Sequence, residues 1–145
     1  MMKKALSVIM TVCMMLGILP MTVLSENVEH VIMTAEDWTA FADDIAKGEG
    51  CADTWKLGAD ISVTANVVTE DYSAYPTVGT QTHPFAGTFD GQGHTLTVEI
   101  HDEYYLDERT NPGAAPFRFI EGATIRNLTV TGSVSGPGHS AGLVS

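Results

Sequence analysis

Short alternating runs of apolar and polar residues dominate the second half of the chain. In the segment 84–98, PFAGTFDGQGHTLTV, the aromatic residues Phe85 and Phe89 come before a turn cluster at 90–93. From residue 95 to residue 100, apolar and polar side chains then alternate strictly. This pattern predicts a short strand, a tight turn and a second short strand that buries one face.

A second segment repeats this plan. Residues 116–130, PFRFIEGATIRNLTV, also number fifteen, and both segments begin with Pro-Phe and end with Leu-Thr-Val. Phe85, Phe117 and Leu143 follow one another at intervals of 32 and 26 residues, and a loop inserted at 101–116 accounts for part of the longer interval. A period in the twenties, with three short strands per turn, is typical of a β-helix whose coils stack as a solenoid. An antiparallel sandwich, with strands about 8 to 12 residues apart, is the alternative.

One segment near the N-terminus has helical periodicity instead. Thr34 is a suitable N-cap residue, acidic residues follow it in the first turn, and Gly48 is a suitable residue to end the helix. The apolar spacing i, i+3, i+4 and i+7 predicts a helix over about residues 35–47, with an apolar stripe formed by Trp38, Phe41, Ala42 and Ile45. We expect this helix to cap the first coil, which would otherwise expose its apolar end.

The N-terminus has the pattern of a secretory signal peptide. A basic tip at 1–4 is followed by an apolar run at 5–19 and a break at Pro20. The run is shorter than the roughly 20 residues that a membrane span needs. We expect cleavage near Ser25, and the alternative is an uncleaved N-terminal anchor.

These patterns divide the chain into three segments. They are a signal peptide at 1–25, a lead-in with the capping helix at 26–48, and β-helix coils at 49–145. A third copy of the repeat begins at 141–144, and the sequence then stops within that coil. Because such a stop leaves an open strand edge and an uncovered apolar face, we expect either a fragment truncated at its C-terminus or self-association through this edge.

The charge of the chain restricts its partners. Beyond residue 25 there are eighteen acidic and five basic residues, which give a formal charge of −13 with neutral histidines. Such a chain is repelled by nucleic acid and by anionic membrane surfaces, so we expect neither as a partner. Cys51 is the single cysteine of this part, which excludes an internal disulfide. We expect it to be a small buried residue rather than a reactive thiol.

The turn inside the first repeat contains the first candidate chemistry. Asp90 and His94 lie four residues apart and would suit an acid/base pair, but Asp is a frequent turn former and an Asx turn is the favoured interpretation. The neighbouring glycines would allow positive φ angles or close backbone approaches at coil corners. Asn127 can bond backbone groups at a bend of the second copy. The predicted structural turn residues are therefore Gly87, Asp90, Gly91, Gly93 and Asn127.

Other titratable residues offer little catalytic chemistry. The acidic segment 101–108 would suit calcium through its carboxylates, but it lacks the alternating ligands and the glycine of an EF-hand, and a solvated loop is favoured. The histidines show no HExxH spacing. A β-helix lyase needs aspartates clustered on one sheet face beside a basic residue, and the sequence shows no such cluster. We predict no catalytic residue, no metal site and no cofactor.

Aromatic residues in predicted loops are the candidate ligand-binding residues. They are Tyr72, Tyr75, Tyr104 and Tyr105. Tyrosines beside acidic residues on loops suit stacking on sugars or packing against a protein partner. The alternative is that these rings fold over the edges of the coils.

The order of the short motifs resembles that of bacterial surface proteins with GLUG-type repeats. The similarity extends over about residues 34–145, and the matching segments are 55–57, 60–61, 78–80, 84–96, 123–130 and 141–144. The resemblance implies a right-handed parallel β-helix of the pectate-lyase-like type, here with two to three coils, in an exported or cell-surface protein. Such repeats occur in adhesin-like proteins and in the N-terminal parts of immunoglobulin A peptidases. Those arrays usually run through many coils, whereas this sequence stops after it begins a third.

The expected function follows from the resemblance and from the residues together. We expect a secreted or cell-surface module for adhesion or surface display that binds a glycan or a protein and is not an enzyme. The alternative is the N-terminal part of a β-helix enzyme, either a polysaccharide lyase or hydrolase or a surface peptidase. An enzyme needs convergent titratable groups, and no complete set is visible in the sequence.

Overall fold

The computed structural model describes residues 27–67, 76–103, 113–136 and 138–144. Within these residues the chain forms one helix and seven strands, in the order β1 (Glu29–Ile32), α1 (Ala35–Lys47), β2 (Thr54–Leu57), β3 (Ile61–Val67), β4 (Thr88–Asp90), β5 (Thr95–Asp102), β6 (Thr124–Arg126) and β7 (Thr129–Ser135). The predicted signal peptide at 1–25 lies outside the described residues. No helix in the described part of the chain has the length and apolar character needed to cross a membrane.

The strands form two parallel sheets. Sheet 1 has the order β1-β2-β4-β6, and sheet 2 has the order β3-β5-β7. From β2 onwards the chain alternates between them, because each strand of sheet 1 is followed by a strand of sheet 2. The prediction of a mainly β protein is therefore confirmed. The antiparallel sandwich is wrong, since every strand pair in the described residues is parallel.

The strand register sets an interval of 34 to 36 residues between equivalent positions. In sheet 1, Thr54 pairs with Thr88 and Thr88 pairs with Thr124, at intervals of 34 and 36 residues. In sheet 2, Leu96 pairs with Ile61 on one side and with Val130 on the other, at intervals of 35 and 34 residues. The predicted period in the twenties is wrong.

The two Pro-Phe dipeptides caused this error because they are not equivalent in space. Phe85 bridges to Ile120, whereas Phe117 bridges to Val78 and to Val144. The segment 101–116 is also more than an inserted loop, since β5 extends to Asp102 and Ala114 forms a parallel bridge to Ser140. Leaving part of this segment out of the interval between Phe85 and Phe117 made the predicted period shorter than the observed one.

The predicted helix is confirmed at its bounds and at both ends. Thr34 Oγ1 accepts a hydrogen bond from Asp37 N at 3.1 Å, and Asp37 Oδ2 accepts from Thr34 N at 3.0 Å, which is a capping box. Gly48 ends the helix with a left-handed φ of 87°. The residues of the predicted apolar stripe, Trp38, Phe41, Ala42 and Ile45, are all buried.

The helix packs its aromatic residues against phenylalanines from the strand layers. Trp38 lies 5.7 Å from Phe89 and 5.6 Å from Phe117 between ring centroids, and Phe41 lies 5.6 Å from Phe85, all in edge-to-face contacts. These five side chains are fully buried. Edge-to-face pairs add about 0.5–1.5 kcal/mol each beyond the area they bury, so this aromatic cluster holds the helix on the sheets.

Burial of the inward-facing residues decreases from α1 towards the last strands. In β4 and β5, Phe89 and Leu96 are 0% exposed. Their partners in the next strands, Ile125 and Val130, are half-buried. The core is therefore dense beneath α1 and open beside β6 and β7.

Candidate functional site

Asp90 forms a buried polar cluster at the turn after β4. Its side chain is 5% exposed, and its Oδ1 accepts hydrogen bonds from Gln92 N at 3.0 Å and from Asn127 Nδ2 at 3.1 Å. Arg126 Nε donates to Asp90 Oδ2 at 2.9 Å. The bond from Gln92 N is an Asx turn, and the other two bonds join this turn to β6 and the residue after it.

These contacts lower the pKa of Asp90 below its ordinary value. The amide of Gln92 has the largest effect, and the side chains of Asn127 and Arg126 act in the same direction. Burial of the charge acts in the opposite direction and is outweighed. Asp90 is therefore an ionised acceptor with its lone pairs engaged, which does not suit a general acid.

His94 pairs with Asp60 rather than with Asp90. Its Nδ1 lies 3.2 Å from Asp60 Oδ1, and the same oxygen accepts a hydrogen bond from Thr95 N at 2.8 Å. The amide of Thr95, followed by His94, lowers the pKa of Asp60. The hydrogen bonds therefore do not support the acid/base pair considered from the sequence, because Asp90 and His94 each bond other residues.

The structure places the predicted turn glycines at sites with little room for a side chain or with a left-handed backbone. A Cβ on Gly87 would lie 2.1 Å from Asp53 O, and one on Gly91 would lie 2.4 Å from Asn127 O. Gly93 has open space around it, but its φ is 83°. Asn127 itself has a φ of 51°, a conformation that Asn tolerates better than most residues. Gly91 and Asn127 thus meet where two successive turns stack.

The outward face of sheet 2 is rich in hydroxyl groups. We call it the hydroxyl face, and in the described side chains it consists of Ser62, Thr64, Thr95, Thr97, Glu99, His101, Thr129, Thr131, Ser133 and Ser135. The register aligns Ser62, Thr97 and Thr131 in one row across the three strands. Thr97 Oγ1 and Thr131 Oγ1 are 3.0 Å apart. Rows of this kind repeat about every 4.8 Å between strands and roughly 6.6 Å along them.

Sequence reasoning missed this face as a candidate site. It assigned Thr95, Thr97 and Glu99 to the solvent side of one strand, which β-branched residues favour for conformational reasons alone. The available signal was the Thr-x-Thr pattern at 95–97 and again at 129–131. Only the strand register shows that these pairs form one continuous surface.

His101, at the end of the hydroxyl face, has a hydrogen-bond partner at each of its two ring nitrogens. His101 Nδ1 lies 2.5 Å from Ser135 Oγ, and His101 Nε2 lies 3.1 Å from Glu103 Oε1. With the proton on Nε2 directed at Glu103, Nδ1 accepts from the Ser135 hydroxyl, which is the order of groups that polarises a serine. The side chains of His101 and Glu103 are 54% and 63% exposed, so they can also bond a ligand on an open surface.

A second cluster lies at the opposite end of the molecule. The His30 ring stacks on Trp55 with centroids 4.0 Å apart, and His30 Nε2 lies 3.0 Å from Asp53 Oδ2. Cys51 is half-buried beside the core, and burial raises the pKa of its thiol, with Asp53 acting in the same direction. A protonated thiol is a poor nucleophile, which agrees with the expectation that Cys51 is not a reactive thiol, but its side chain is half-buried and not fully buried as predicted.

The predicted ligand-binding tyrosines, Tyr72, Tyr75, Tyr104 and Tyr105, lie outside the described residues. The acidic segment considered for calcium lies partly outside them as well. Within the described residues, no group of three or more His, Cys, Asp or Glu side chains is placed to hold a metal ion.

Comparisons with known proteins do not identify this chain. No protein-family model matches it, and neither the curated proteins nor the solved structures contain a match.

Proposed function

We propose that the chain folds as a right-handed parallel β-helix. Two features support this proposal: the alternation of the chain between two parallel sheets, and the interval of 34 to 36 residues in both of them. A third line of parallel bridges joins Val78, Phe117 and Val144, as a three-sided coil requires. The right hand is the expected one, because crossovers between parallel strands are right-handed in nearly all proteins. In this arrangement α1 caps the first coil.

We also propose that the protein is exported and acts as a non-enzymatic module for adhesion or surface display. The pattern of residues 1–25 supports export. Of the two ligand classes expected, a glycan or a protein, we favour a glycan. The observation that carries this choice is the hydroxyl face, with its aligned rows of Ser and Thr side chains.

The hydroxyl face suits a polyhydroxylated ligand for two physical reasons. Hydroxyl groups both donate and accept, so a regular array can exchange hydrogen bonds with many sugar hydroxyls at once. Each bond contributes only about 0.5–1.5 kcal/mol net, and useful affinity therefore requires several bonds on a rigid support. Parallel sheets with a buried apolar side provide that support.

A glycan array tests this proposal. The full-length gene is expressed in an exporting host, and the product is applied to immobilised mucin-type, bacterial cell-wall and plant cell-wall glycans. We expect binding to at least one class, and we expect Thr97→Val with Thr131→Val to weaken it at least roughly tenfold by removing adjacent hydroxyls. Thr39→Val, on the exposed side of α1, is the control. Undiminished binding by the double variant would refute the assigned surface, and an absence of glycan binding would refute the ligand class.

One observation favours a second candidate, a hydrolase that removes acyl groups from polysaccharides. Ser135, His101 and Glu103 form a continuous chain of hydrogen bonds in which the serine faces a basic nitrogen. Release of acetate from an acetylated polysaccharide by the full chain, abolished by Ser135→Ala and by His101→Gln, would favour this activity. Release that both variants retain would exclude these residues.

A further inference from the structure

The last strands of both sheets lie at the same end of the molecule with their outer edges unpaired in the described residues. β6 ends sheet 1, and β7 ends sheet 2. Thr129 N donates to His94 O, so alternate residues of β7 direct their amides towards β5. The amides of Val130, Gly132 and Val134 therefore point outwards. We call this end the open edge; it consists of the outer edges of β6 and β7 with the half-buried apolar residues Ile125, Leu128, Val130, Val134 and Leu143.

The open edge leaves apolar surface uncovered. A cavity of about 430 Å³ opens there, and Leu128, Val130, Val134 and Leu143 contribute to its lining. In the preceding layer, Leu96 and Ile100 occupy the positions equivalent to Val130 and Val134 and are at most 2% exposed. One further layer of apolar side chains would bury this surface in the same way.

The opposite end of the molecule is closed. There α1 packs against β1 and β3, the outermost strands of the two sheets. Its apolar stripe is buried, including Trp38 and Phe41 at 0% exposure. A neighbouring molecule therefore cannot stack its open edge on this end as a further coil would.

The distribution of charge favours contact between two copies at the open edge. Residues 113–145 contain one acidic and two basic residues, a formal charge of +1, whereas residues 26–112 contain seventeen acidic and three basic residues, a formal charge of −14. Two such molecules repel each other least where their C-terminal repeats meet, and salt screens the remaining acidic residues beyond about 8 Å. β7 also has no charged residue and no proline, the features with which proteins usually prevent edge pairing.

We propose that the open edge is occupied by the open edge of a second copy, which gives a closed twofold dimer. The twofold axis passes near Gly132 and pairs the two β7 strands in antiparallel orientation. Each molecule therefore presents the same surface to the other. The outward amides of β7 then find carbonyl partners, and the half-buried valines and leucines cover one another. Because α1 closes the other end, assembly stops at two copies and does not continue as a fibre.

Sedimentation of the exported full-length product tests the dimer. Mass spectrometry establishes the N-terminus, so that an uncleaved apolar leader is not mistaken for edge pairing. We expect a reversible dimer, and we expect Val134→Lys and Val130→Lys to raise its dissociation constant at least roughly tenfold, because an inward-pointing charge opposes edge pairing. Val31→Lys is the matched control, since Val31 is a valine 54% exposed on β1 at the closed end. Circular dichroism confirms that each variant is folded.

A cross-link avoids dependence on the lysine variants. Ser133 is exposed and lies one residue from the expected axis, so the two copies of Ser133 are diagonal neighbours roughly 7–8 Å apart. This separation is too long for a disulfide, and Ser133→Cys should instead be joined into a covalent dimer by a short bismaleimide cross-linker. Ser62→Cys, in the same kind of position on β3, should remain uncross-linked. The proposal is refuted by a wild-type chain that stays monomeric at its highest attainable concentration, by open-ended assemblies, or by equal cross-linking at both positions.

Discussion

Gly132 provides the sharpest test of the register of sheet 2. It lies in the middle of β7, opposite Val98 of β5, and has a φ of 108°. A Cβ at this position would lie 1.9 Å from Val98 O, whereas real contacts of this kind are essentially never below 3.0 Å. In Gly132→Ala, β7 must therefore move away from β5 by about 1 Å.

Two contributions determine the size of the effect. A displacement of this size breaks the two ladder hydrogen bonds on either side of Val98, and each such bond contributes about 1 kcal/mol net. An alanine at a positive φ adds strain on the order of 1–2 kcal/mol. We expect Gly132→Ala to lower the free energy of unfolding by about 3–4 kcal/mol, a large part of the roughly 5–15 kcal/mol available to a domain.

Urea unfolding followed by circular dichroism measures this loss, at low protein concentration so that association does not contribute. Gly142→Ala is the matched control, because a Cβ there has no heavy atom within 4 Å. We expect the control to stay within about 0.5 kcal/mol of the wild type. Equal stability of the two alanine variants would show that β7 does not pair with β5 in this register.

Three further substitutions test the helix and the polar turns. Thr34→Ala should lower the free energy of unfolding by about 1 kcal/mol, because the N-cap bond of α1 is lost, while Thr34→Ser should not; urea unfolding distinguishes them. Phe41→Ala should lower it by about 3–5 kcal/mol in the same assay, against less than about 0.5 kcal/mol for Val31→Ala on the exposed side of β1. The pKa of Asp90 is lowered from an ordinary 3.8, so its stabilisation is present above that pH and is lost as the pH falls through the folded pKa. Stability should therefore decline less steeply with acid in Asp90→Asn than in the wild type, and equal slopes would contradict the role assigned to the Asp90 hydrogen bonds.

The helix could be predicted from the sequence because its signals are local. Thr34, Gly48 and the apolar spacing between them lie within fifteen residues, and each acts through the backbone of its own neighbours. The repeated pattern also favoured strands in stacked coils, and the resemblance implied that these strands pair in parallel. Both conclusions depend on which residues alternate, and not on how far apart the copies lie.

The register could not be predicted in the same way. Aligning the two Pro-Phe segments places Leu96 opposite Leu128, whereas the structure pairs Leu96 with Val130. A shift of two residues leaves every side chain on the same face of the strand, so the apolar pattern fits both registers equally well. The hydroxyl face was missed for a related reason, because its rows exist only once the register is known.

The selection of one register therefore requires contacts that a slip of two residues would break, and the polar turns provide them. Asp60, just before β3, bonds Thr95 N and the side chain of His94 in the next repeat. Asp90, at the end of β4, likewise bonds Arg126 and its neighbour one repeat further on. Each carboxylate is held by donors at fixed positions on two stacked turns, and a slip would leave its charge without those partners. Asp90, which the sequence offered as half of an acid/base pair, thus has a structural role, and together with Asp60 it helps to determine which strands pair and in which register.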